Sequence, residues 1–97
     1  MNSIANILTD GGCEKLVALR FAAKKVTRHN DNSVLMIKLK QGAPNSHVRI
    51  ERINKVKFIV KGFNLEAPNR APVEMDCFSN DLKSIVGFMA NAASTVH

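Results

Sequence analysis

Ser33-Val-Leu-Met-Ile-Lys-Leu-Lys40, His47-Val-Arg-Ile-Glu-Arg-Ile53 and Lys55-Val-Lys-Phe-Ile-Val-Lys-Gly-Phe63 decide the fold. In the first, Leu35, Ile37 and Leu39 alternate with Met36, Lys38 and Lys40. In the second, Val48 and Ile50 alternate with His47, Arg49 and Glu51. In the third, Val56, Phe58 and Val60 alternate with Lys55, Lys57, Ile59 and Lys61. Side chains on a strand point to opposite faces in turn, so this period of two predicts strands with an apolar side and a charged side. An antiparallel sheet with one solvated face produces that pattern.

Gln41–Ser46 has the composition of a loop, and Asn64–Ala71 of a longer one. Pro72–Phe78 reads as a fourth strand, with Val73, Met75 and Cys77 inward and Glu74, Asp76 and Phe78 outward; its starting proline suits an edge. Ser79 or Asn80 then caps a helix over 79–92, whose Leu82, Ile85, Val86 and Met89 form an apolar stripe. The tail 93–97 is expected to fray. Before the strands, 1–12 holds a short helix ended by Gly11-Gly12. Residues 13–28 are rich in helix formers, with Leu16, Leu19, Ala23 and Val26 on one face and Arg20, Lys24 and Arg28 on another. Val17, Leu19, Phe21 and Ala23 also alternate, so a strand competes there. The expectation is one small α+β domain over 1–97. It has a three- or four-stranded antiparallel sheet at 33–78, N-terminal helices, and a C-terminal helix packed on one face.

The order helix–strand–strand–strand–helix over 13–92 is also that of double-stranded-RNA-binding domains, a likeness of topology alone. Those domains open the last helix with phosphate-gripping lysines. This chain reads Ser79-Asn80-Asp81-Leu82-Lys83 there, which is acidic, so it is not placed among them.

The chain has 97 residues, 45% apolar and 23% charged, which excludes wholesale disorder and a large multidomain enzyme. No apolar run reaches the ~18 residues of a membrane span. The two cysteines, Cys13 and Cys77, follow no basic, apolar leader, so free thiols and a cytoplasmic location are expected. The net charge is +6, and it is unevenly placed. Residues 15–61 hold twelve bases against Asp31 and Glu51, a local excess of +10, while the flanks are each −2. That block points to an anionic partner, or to a solvated face with internal ion pairs.

Catalytic sets are weak. Glu74 and Asp76 share a strand face, but a strand folded back on Lys57 and Lys61 makes them ordinary cross-strand partners. Cys13, His29, His47 and Cys77 lack zinc-site spacings. Gly11-Gly12 lacks the strand and the Gly-Lys-Ser/Thr ending of a phosphate loop. No enzyme activity, metal or cofactor is expected. The sharper candidate is the outward face: Lys38, Lys40, Arg49, Lys57 and Lys61, joined by Ile59 and Phe63. If the strands pair across their loops, Lys38 falls near Arg49, and Arg49 near Lys61. With Arg20, Lys24 and Arg28 these residues form the expected phosphate-binding set, with Phe63 to stack a base. The leading expectation is a small module that binds nucleic acid. Its alternative is a protein-interaction module, a homodimer or an adaptor for an acidic protein. The size and charge also suit an accessory protein of a mobile element or phage.

Overall fold

A computed structural model describes residues 3–9, 13–41, 43, 45–67 and 69–91. Gly11-Gly12 and the tail 93–97 lie outside the described residues. In chain order the elements are α1 (Ile4–Leu8), α2 (Glu14–Arg20), β1 (Ala23–His29), β2 (Val34–Leu39), β3 (His47–Arg52), β4 (Lys57–Phe63), β5 (Val73–Phe78) and α3 (Ser79–Asn91). The strands form one sheet in the order β1-β2-β3-β4-β5, every neighbour antiparallel. The α+β architecture is the expected one, with five strands where the sequence predicts three or four.

The added strand comes from the segment read as helix. The helix over 13–28 stops at Arg20, and 23–29 form β1. Ala22 has φ 53°, a left-handed value that an α-helix cannot continue. Beyond it, β-branched Val26 and Thr27 suit a strand. Asn30, Asp31 and Asn32, at φ 51°, 54° and 70°, then turn the chain back onto β2. Short polar side chains tolerate that conformation best. The ladder with β2 outweighs the helix propensity of Ala23, Lys24 and Lys25. The buried residues of α2 and its cap also differ from the expected stripe: Val17 and Phe21 are 0% and 3% exposed, whereas Leu19 is 71% exposed.

One cluster of buried side chains joins all three helices to one sheet face. It contains Ile4 and Leu8 of α1, Val17 of α2, and Leu82, Val86 and Met89 of α3. From the sheet come Leu35, Ile37, Leu39, Val48, Ile50, Phe58 and Val60. Each such side chain contributes about 1.5–3 kcal/mol when buried. The inward parity of β2, β3 and β4 is as the sequence predicts. Ile85 is half-buried at the margin of the α3 stripe. Val56 is exposed because β4 begins only at Lys57. Val73 and Met75 have inward parity but remain exposed, since β5 is an edge strand. No helix among the described residues is long and apolar enough to cross a membrane.

Gly62 of β4 lies where the chain packs closely behind the sheet. A Cβ there would lie 2.9 Å from Asn45 Nδ2 and 3.2 Å from Met89 Sδ. That same Asn45 amide donates to the Met89 carbonyl at 2.9 Å, tying the β2–β3 loop to the end of α3. Gly62→Ala is therefore expected to push Asn45 off α3 and cost about 1–3 kcal/mol, as overpacking does. A thermal melt within 1 °C of the parent would show that the loop gives way instead.

Both cysteines are unbridged: Cys13 is exposed ahead of α2, and Cys77 is buried on β5. Burial, then the nearby Asp81 and Asp76 charges, push the Cys77 thiol above its ordinary range. Thiolate is the reactive form. Alkylation of the native protein should therefore modify Cys13 first, at least about tenfold faster than Cys77. Equal rates by intact mass would place Cys77 outside the core.

Candidate nucleic-acid interface

With the helices on one side, the other sheet face is left to β-strand side chains of opposite parity. They fall into cross-strand rows. The first row reads Lys25, Lys38, His47 and Phe63 from β1 to β4. The second reads Thr27, Met36, Arg49, Lys61 and Glu74. The third reads His29, Val34, Glu51, Ile59 and Asp76. Along the strand direction the face therefore runs from a basic end, at the β2–β3 loop, to an end that carries the acids.

The expected pairing of Arg49 with Lys61 is present. Lys38 is opposite His47 instead of Arg49, a slip of two residues that keeps every side chain on its face. Two like-charged cross-strand pairs result, Lys25 with Lys38 and Arg49 with Lys61. Directly opposed like charges are destabilising. Arg49 is relieved by donating to Glu51 Oε1 at 3.1 Å. Lys61 is opposite Glu74 on its other side. No ion pair among the described residues includes Lys24, Lys25, Lys38 or Lys40.

The set read from the sequence is thus divided. Lys38 and Lys40 stand at the basic end, both exposed, and Lys24 joins them from β1. Arg49 and Lys61 follow in the second row. Lys57 lies at the acidic end, 3.8 Å from Asp76. Arg28 has inward parity on β1 and pairs with Glu14 of α2. Arg20 ends α2, where its charge suits the helix dipole. The single helix face expected for Arg20, Lys24 and Arg28 does not form, because Arg20 ends α2 while Lys24 and Arg28 stand on β1.

Phe63 is half-buried at the end of β4, and its ring stacks on His47, with centroids 5.3 Å apart and planes within 7°. The sequence offers His47 only as a metal ligand and places Lys25 in a helix. The structure makes both members of the basic row. Burial, then the Lys38 charge, hold the His47 imidazole below its ordinary range, so it is neutral at pH 7. Ser46 fixes the ring: its Oγ lies 2.8 Å from His47 Nδ1 and accepts the Leu65 N–H at 2.8 Å.

The row thus places two exposed ammonium groups beside two stacked rings on the exposed surface of the sheet. Such a surface can neutralise phosphates and offer an aromatic face to a base. The chain matches no protein-family model, no curated protein and no solved structure.

Proposed function

We propose that this domain binds single-stranded nucleic acid through the basic end of its open sheet face. The observation that carries the reading is the row Lys25, Lys38, His47 and Phe63, bordered by Lys24 and Lys40. The sheet keeps two lysines opposed, with no acid among the described residues in an ion pair with either, at a cost that an anionic ligand would reverse. The amines take phosphates and so supply affinity without sequence preference. The stacked His47–Phe63 pair gives a base somewhere to lie, which favours a strand whose bases are unpaired. The test is binding of a labelled single-stranded oligonucleotide at two salt concentrations. Steep weakening with salt supports the reading, and no retention at about 50 mM salt ends it.

A protein-interaction role rests on a different observation. Val73, Met75 and Phe78 on the β5 edge are 49%, 40% and 59% exposed. An open edge with apolar side chains is suited to strand addition. Sedimentation that shows a dimer, together with no oligonucleotide binding, would make this the function.

A further inference from the structure

The basic end of the sheet is a groove. It has a volume of about 380 Å³, and Lys24, Lys38, Lys40 and His47 share its lining with the turn at 64–66. The three lysines come from three local structures. Lys38 stands in β2, and Lys40 follows that strand. Lys24 is the extra residue where the β1–β2 register shifts between Ala23 and Lys25. A bulge re-aims the side chain it carries, and here it adds a third ammonium to the groove.

The groove's other lining is held in place. Asn45 is tied to Met89. The Leu65 N–H is tied to Ser46, and the Glu66 N–H donates to Asn64 Oδ1 at 2.9 Å. Glu66 is the acid of this lining, against three lysines. The basic track that starts at Arg49 and Lys61 therefore runs into a pre-formed recess and ends there.

We propose that this groove takes a terminal phosphate, the phosphomonoester at the end of a nucleic-acid strand, so that the domain distinguishes strands by their ends. The proposal rests on the nucleic-acid reading above and narrows it. An internal phosphodiester carries one negative charge. A phosphomonoester carries about −1.5 to −2 at pH 7, with three acceptor oxygens, the better match to three ammonium groups. The groups that face His47 complete the argument: Lys38 from β2, Phe63 from β4, and Ser46 next to it. Phe63 covers one side of the ring from β4, which leaves the other side toward Lys38 and the groove. A terminal nucleotide whose phosphate sits among the lysines has that ring beside it. Its dianion would offset the Lys38 charge and favour the imidazolium.

The experiment compares three short oligothymidylates, internally labelled and otherwise identical: one with a 5′-phosphate, one with a 3′-phosphate, one with neither. The expected result is that one phosphorylated strand binds at least about fivefold tighter than the unphosphorylated one, and the two phosphorylated arms tell which end is read. Lys24→Gln with Lys40→Gln should bring that ratio to about one, whereas Lys25→Gln, which lies outside the groove lining, should weaken all three strands and keep the ratio. In a second measurement, the His47 ring signals should show a higher pKa with the preferred strand than with the unphosphorylated one. Equal affinity for the three strands overturns the terminal-phosphate proposal and leaves the nucleic-acid reading standing. Failure to bind any of them overturns both.

Discussion

Phe58→Ala is expected to cost this domain about 3–5 kcal/mol, the usual range for deleting a buried ring. Phe58 is among the largest fully buried side chains, at 0% exposure. It stands on β4, between Arg52 of β3 and Cys77 of β5, and belongs to the same buried cluster as Leu82 and Val86 of α3. The Arg52 guanidinium lies 5.3 Å from its ring centroid, which adds a cation–π contact to what is lost. Domains of this kind are stable by only about 5–15 kcal/mol in total. With a urea m-value of about 2 kcal/mol/M, the midpoint should fall by roughly 2 M. Ile85→Ala, at the half-buried margin of the same core, should shift it by less than half as much. If Phe58→Ala moves the midpoint by under about 0.5 M, the sheet and α3 do not share this core.

The sequence places Phe58 inward because period-two alternation fixes a residue's face without reference to any partner. Helical spacing drew the α3 stripe, and the same alternation located β2, β3 and β4. It could not find β1. Ala23-Lys24-Lys25 is good helix sequence, and the forces that make it a strand are not local. They are the left-handed Ala22, the Asn30-Asp31-Asn32 turn and the β2 backbone waiting to be paired. Val56 departs from its inward parity for a smaller reason: alternation runs past the point where Asn54 Oδ1 accepts the N–H groups of Val56 and Lys57, just ahead of β4.

The candidate site was legible as charge and illegible as charge balance. Counting bases along the chain finds the +10 block, but no count shows which of them are already paired. Arg28 is neutralised by Glu14, outside the block, and Lys57 by Asp76, likewise. Lys25 became visible only when β1 put it opposite Lys38. The stacking of Phe63 on His47 depends on the β3–β4 register, which alternation alone does not fix.

The Lys25–Lys38 pair gives the most discriminating prediction, because stability and binding should move in opposite directions. Suppose Lys24, Lys25, Lys38 and Lys40 each neutralise one phosphate of a single strand. The log–log salt slope is then about −3, a loss of roughly 50-fold in affinity between 50 and 200 mM salt. Lys25→Glu with Lys38→Glu should flatten the slope to about −1.4 or abolish binding. The double variant still opposes like charges, so its melting temperature should stay near the parent's. Lys25→Glu alone is different. It places a carboxylate directly opposite Lys38 and converts a repulsive cross-strand pair into an attractive one, worth about 0.2–1 kcal/mol. The single variant should therefore melt higher than the parent while binding the oligonucleotide more weakly. Lys83→Glu, on the exposed side of α3, should change neither. A solvated face with no ligand predicts the rise in stability without any change in binding, because there is no binding to lose. A single variant that melts higher and binds as tightly as the parent would remove Lys25 and Lys38 from the interface, and with them the row on which the nucleic-acid reading stands.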